Sequence, residues 1–353
     1  MTHTLANDVD YLTARVHGRR SRMAETDRLE VLCRSRSLPE FARTVYPEPE
    51  LVTAAAFQRH SVQSLIRELS GLRLSLAGAD ARLLDWLLVR YQVENLKVLL
   101  RACAGRIPFE NCQEHLVELP KDLTLDDAAL AAADSLGAFV RILPRGLLRQ
   151  SLEQALAADH ESPRPFFYET ALDRTYLQEL LARAGRLSGE DKEVITALVQ
   201  QEADHFHLML VARGRFHYEL PPDQLLPRHI AGTRIPRARF AAMLGDADVR
   251  TAMTRAVGRA LDELPLERGP GEAGSALDAA TVEKLAWKRF VRLANRAFRG
   301  GHVGLGAIAG YIGLRRAEAA NLITLSEGLR LSLAAETLRA RMIPRADLEV
   351  PHV

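Results

Sequence analysis

The sequence predicts an all-α protein, and three observations carry that prediction. Apolar residues recur at steps of three and four along most of the chain, the spacing of one helical face. Leu and Ala abound while aromatics make up only 6% of the 353 residues, a composition that favours helices packed through aliphatic stripes over a β-sandwich. Strand signals are nearly absent, and the alternation Phe216, Tyr218, Leu220 is one short candidate. With 47% hydrophobic and 26% charged residues the chain is that of a folded globular protein, long enough for two or three domains.

In chain order, residues 10–34 read as a first helix, with Tyr11, Val16, Met23, Leu29 and Leu32 set among arginines. Pro39 and Pro47 punctuate the stretch after it. Residues 81–102 carry Leu84, Leu88, Tyr91, Val98 and Ala102 on one stripe. Residues 122–159, 171–185, 189–213, 279–298 and 305–329 read as further helices. Gly269, Pro270, Gly271 and Gly274 make 266–275 a linker.

Charge and cysteine usage narrow the function. Lys and Arg number 47 against 45 Asp and Glu, so no nucleic-acid or acidic-membrane partner follows from net charge. Cys33, Cys103 and Cys112 are odd in number and match no zinc spacing, which suits a reducing compartment. The longest uncharged run, between Arg299 and Arg315, is Gly-rich and too short to span a bilayer.

Internal comparison changes the picture. Gln92–Leu99, Asp204–Val211 and Glu318–Leu325 align when anchored on Asn95, His207 and Asn321. Three positions before the anchor stand Gln92, Asp204 and Glu318, one after it Leu96, Leu208 and Leu322, and seven after it the small residues Ala102, Gly214 and Gly328. The register runs on past the helix: Ile107, Leu220 and Leu333 are spaced by 113, as are Glu110, Asp223 and Glu336, and Val117, Ile230 and Ile343. Each window reads as a helix, a small-residue break, then a helix opened by an acidic residue, which suits the helix dipole. The anchor helix of the middle copy is offset by one residue. Asn95 and Asn321 fall on apolar stripes, where a bare amide is costly, so each either lines a shared polar space or is bonded to a neighbouring backbone.

Other constellations read as bland. Gly269-Pro-Gly271-Glu-Ala-Gly274 matches a dinucleotide string, but no strand precedes it and Pro270 and Glu272 oppose a pyrophosphate. His205 and His207 lie two apart on a helix, about 200° around its axis, so they cannot grip one metal. Cys103 reads as a packed thiol. The first-helix arginines Arg15, Arg19, Arg20, Arg22 and Arg28 read as a solvated face. The basic stretch Lys284–Arg299, with Trp287, Phe290 and Phe298 on a helical period, suits a face docked on another protein.

The repeats also resemble a known family, the C subunits of the V-type and archaeal-type (A-type) rotary ATPases, called d in eukaryotes. Tyr11, Ala14, Arg15 and Val16 resemble its opening helix, and Asn95-Leu-Lys-Val-Leu-Leu-Arg101 its Asn-Leu-Lys-x-Leu-Leu-Arg helix. Asp173-Arg174-x-Tyr176-Leu177 resembles the Asp-x-x-Tyr helix of its middle repeat. Arg315–Gly328, with Glu318 and Asn321, resembles its closing Glu-x-x-Asn-Leu signature. His207 departs from the Asn usual in the middle repeat.

This resemblance implies an all-α fold of three similar helical domains around a pseudo-threefold axis, shaped like a funnel. With the spacing it gives repeats at 1–118, 119–231 and 232–353. It implies a non-catalytic socket on the cytoplasmic face of the membrane, between the central-shaft subunits D and F and the rotor ring of proteolipid subunits, transmitting torque. No catalytic residue, cofactor or metal is expected, and Asn95, His207 and Asn321 are the candidate funnel-lining or repeat-anchor residues. The alternative is a helical-repeat interaction scaffold outside any ATPase.

Overall fold

The computed structural model describes residues 9–48, 50–158, 164–265, 277–300 and 304–343. The described residues form helices joined by turns and loops and no strand, with Val257 and Leu261 making one isolated bridge. The helices are α1 (Val9–Arg20), α2 (Thr26–Leu32), α3 (Leu38–Val45), α4 (Ala54–Arg73), α5 (Gly78–Gly105) and α6 (Phe109–Cys112). They continue with α7 (Asp127–Ala131), α8 (Leu136–Ile142), α9 (Leu147–Ala158), α10 (Pro165–Ala184), α11 (Gly189–Met209) and α12 (Pro222–Leu225). Last come α13 (Arg237–Gly245), α14 (Val249–Thr254), α15 (Ala279–Gly300), α16 (Leu305–Arg330) and α17 (Ala335–Arg341).

Three long hairpins dominate: α4 with α5, α10 with α11, and α15 with α16. The first helix of each hairpin also packs on the second helix of another: α10 on α5, α15 on α11, and α4 on α16. The circuit of six helices therefore closes on itself. The anchor helices α5, α11 and α16 each open at a glycine of positive φ, at Gly78, Gly189 and Gly304. Asp191 of α11 accepts the backbone N–H groups of Leu305 (3.2 Å) and Gly306 (2.6 Å), so one anchor helix caps the next. The α15–α16 approach is close: a Cβ on Gly310 would lie 2.6 Å from the Ala294 carbonyl oxygen and the Phe298 nitrogen.

Apolar side chains gather in three clusters. The largest joins α5, α10, α11, α15 and α16. A second lies around 208–286. The third joins Phe41 and Phe57 to Leu322, Leu325 and Leu338, so residues early and late in the chain share a core.

Several sequence expectations need correction. The helix expected over 10–34 breaks after Arg20 and resumes at Thr26, which has φ 51°. The Ala24 N–H there is donated to the Glu318 carboxylate instead of continuing the helix. The helix expected over 122–159 is instead the three short helices α7, α8 and α9. Asp126 and Ser135 cap the first two by accepting from Ala129 and Ala138 N–H. Phe216, Tyr218 and Leu220 form no strand. The apolar face of Lys284–Arg299 is covered by this chain itself, with Phe290 and Phe298 buried against the core. The linker at 266–275 lies outside the described residues.

Candidate functional site

The three anchors are buried, and each bonds to the residue that the 113-residue spacing pairs with it. Asn95 donates to the Val117 carbonyl (2.8 Å) and accepts the Val117 N–H (3.1 Å). Asn321 donates to the Ile343 carbonyl (3.4 Å) and accepts the Ile343 N–H (2.8 Å). His207 has only an acceptor to offer there, and its Nε2 takes the Ile230 N–H at 2.9 Å. Its ring stacks on His229 with centroids 4.8 Å apart. Burial lowers the His207 pKa against the opposing pull of Asp204, and an accepting Nε2 requires the same neutral ring.

A second contact recurs in two copies. Gln92 donates to the Leu123 carbonyl (2.9 Å), and Asp204 accepts the Ile235 N–H (3.1 Å), each reaching 31 residues ahead. In the third copy Glu318 turns to the Ala24 N–H and to Arg315.

Each anchor helix ends in the same way. Arg106, Glu219 and Ser332 all adopt left-handed φ, at 52°, 54° and 55°, and stand 113 residues apart. The next residues, Ile107, Leu220 and Leu333, donate their N–H to Ala102, Gly214 and Gly328 (2.8, 2.9 and 2.9 Å). These small residues clear room for the following helix: a Cβ on Gly214 would meet Leu225 at 3.0 Å. The one-residue offset of the middle copy has a physical home. Leu210–Arg215 winds as a π-helix, with Phe216 and Tyr218 donating five residues back, so one extra residue fits between His207 and its cap.

Five positions before each anchor stand Arg90, Glu202 and Arg316, and these three side chains meet. Glu202 binds Arg316 through both oxygens (2.6 and 2.8 Å) and Arg90 at 2.9 Å. Its side chain is 9% exposed and that of Arg316 10%. Burial pushes the Glu202 carboxyl up, but Arg316 and Arg90 outweigh it and hold it below the usual range. The sequence reading missed this triad because its residues differ in kind. The legible signal was opposite charge at one repeat position.

A cavity of about 400 Å³ lies against the triad, with Tyr176, His205 and Trp287 on its walls. Its charges are paired internally. Lys97 reaches Asp173 (2.6 Å) and Glu94 (3.2 Å), and Arg213 pairs with Glu283. Burial would lower the Lys97 pKa, but Asp173 and Glu94 raise it. His205 is pushed down to about 4 by burial and by the Arg90 charge. The Tyr176 hydroxyl is buried without a partner while the backbone carbonyl of the same residue accepts the Trp86 indole N–H (2.8 Å).

Asn95 and Asn321 border separate cavities. His205 and His207 diverge, the first facing Trp287 and the second His229. All three cysteines are buried and free, and burial raises each thiol pKa. Among the described residues no three His, Cys, Asp or Glu side chains are arranged to hold a metal, and no helix is long and apolar enough to cross a membrane.

The A-type ATP synthase C subunit of Methanosphaera stadtmanae is 21% identical over 344 residues, 96% of this chain and 86% of that protein. Its namesake from Methanobrevibacter smithii is 23% identical over 240 residues, 67% of this chain and 62% of its own length. The family model for the ATP synthase (C/AC39) subunit matches residues 12–341, and the chain therefore belongs to that family.

Proposed function

We infer that this chain is a non-catalytic central-stalk subunit of a V/A-type rotary ATPase. It is a socket between the shaft subunits D and F and the proteolipid ring, on the cytoplasmic face of the membrane, and it transmits torque between them. Its three copies, 1–118, 119–231 and 232–353, stand around a pseudo-threefold axis that passes near the Glu202 carboxylate. The observation that carries this reading is the triad. Three equivalent positions can touch only where three equivalent helices converge, and Arg90, Glu202 and Arg316 do touch. The closed circuit, in which α4 packs on α16, counts against an open solenoid scaffold, which exposes two ends. A socket carrying torque needs rigidity, and close-packed helices supply it.

Affinity purification of the tagged chain from native membranes tests the reading. Shaft and ring subunits should be recovered together with it, and the chain alone should hydrolyse no ATP. Recovery of the chain by itself, with the partners expressed, would refute the socket.

A further inference from the structure

Away from the triad, a cavity of about 420 Å³ opens where the N-terminal helices meet α4 and α16. Five arginines line it: Arg19 from α1, Arg22 from the turn after α1, Arg28 from α2, Arg67 from α4 and Arg315 from α16. Only two carboxylates face them, and both already have arginine partners. Glu68 accepts from Arg19 (2.7 Å) and the Tyr311 hydroxyl (2.6 Å) on one oxygen and from Arg315 (3.0 Å) on the other. Glu318 accepts from the Ala24 N–H and from Arg315.

Three positive charges are left over, on Arg22, Arg28 and Arg67. Arg28 donates to the Arg22 carbonyl and Arg67 to the Gln63 carbonyl (3.3 Å), and among the described residues none of the three has a carboxylate partner. The whole chain carries a formal charge of only +2, so this excess is local. Like charges around one concavity repel unless an anion sits between them. Guanidinium forks match the oxygens of phosphate in paired hydrogen bonds. A phosphate ester brings about two negative charges in one compact group, a closer match to the excess than a single carboxylate. A space of this size admits such a group and not a helix, which is about 10–12 Å across with its side chains.

We propose that this cavity is a binding site for a phosphate-bearing anion, held by Arg22, Arg28 and Arg67 and walled by the arginine-paired Glu68 and Glu318. A bound anion would tie α2 and the turn before it to α4, beside the contact between early and late parts of the chain. The proposal does not depend on the rotary reading, since the test uses the isolated chain.

Inorganic pyrophosphate is the first probe, titrated calorimetrically against the full chain with ionic strength held constant by NaCl. Saturable binding is expected, at least tenfold weaker in the Arg22→Gln/Arg67→Gln variant and unchanged in Arg237→Gln, an exposed arginine elsewhere. Arg22 and Arg67 are exposed, so the variant should keep the circular dichroism and thermal midpoint of the parent. The second probe is phosphatidylcholine vesicles with and without phosphatidylglycerol. Sedimentation with the anionic vesicles, competed by pyrophosphate, assigns the site to a lipid headgroup, whereas pyrophosphate binding without vesicle binding assigns it to a free phosphate compound. Absence of saturable binding to both probes, or binding indifferent to the double substitution, overturns the proposal. So does preferential binding of a polyglutamate peptide that pyrophosphate cannot displace.

Discussion

At the residue scale, an amide on an apolar stripe persists because it holds a passing segment of backbone. Asn95 and Asn321 each satisfy both the N–H and the C=O of one residue 22 positions ahead. Alanine at Asn321 removes both partners from Ile343 at once. The expected cost is about 1–3 kcal/mol, read as a lower urea midpoint with an unchanged m value. An equal midpoint would show that water replaces the amide. The desolvated imidazoles, His207 buried and His205 half-buried, make stability depend on pH. The folded pKa of His205, near 4, lies below the ordinary imidazole value of 6.5. The unfolded chain therefore binds the proton first as pH falls, so this group's contribution to stability is complete above about pH 6.5 and declines as pH falls towards about 4. The slope approaches ~1.4 kcal/mol per pH unit for one such group. Urea midpoints between pH 6.5 and 5 should fall less steeply in His205→Gln than in the parent. Parallel slopes would mean that His205 protonates freely in the folded state.

At the element scale, the long helices and the repeat caps were legible in sequence, while breaks made by distant contacts were not. The stripe Leu84, Leu88, Tyr91 identifies α5 because its own face is what buries it. The left-handed residues Arg106, Glu219 and Ser332 share no side-chain type, so only their common spacing marks them. The break between α1 and α2 answers to Glu318, almost three hundred residues away, and no local pattern reports it. By contrast α4 carried a readable signal, Thr53 as cap and Phe57, Leu65 and Leu72 on one face, diluted by the polar run around His60. The triad lay hidden because repeat alignment rewards likeness, and Arg, Glu and Arg are complementary. Packing within a hairpin yields its own prediction. Gly310→Ala places a methyl group against the backbone of α15, so the two helices must part. Overpacking of this kind costs about 1–3 kcal/mol, and the thermal midpoint should fall accordingly. The same substitution at Gly300, whose Cβ would meet nothing within 4 Å, is the control and should leave it unchanged.

At the scale of the whole molecule, one carboxylate joins three helices from distant parts of the chain. Glu202→Ala leaves Arg90 and Arg316 facing each other with their shared counter-charge gone, and about 3–5 kcal/mol of stability should be lost. Replacing all three with apolar residues, as Arg90→Met, Glu202→Leu and Arg316→Met, should recover much of that loss, since desolvation offsets most of the attraction in a buried ion cluster. If the triple variant is as unstable as Glu202→Ala, the charges themselves hold the helices together. Chemical denaturation of the three proteins, compared at one pH, separates the outcomes.

The core shared by Phe41 and Phe57 with Leu322 and Leu338 also has a consequence for biosynthesis. A ribosome releases the first partners of this cluster long before it makes the last. Until α16 emerges, from Leu305 onward, the face of α4 that will meet it has no mate. Before that point the circuit of long helices is an open arc, and the apolar side chains of α4 that α16 covers face water.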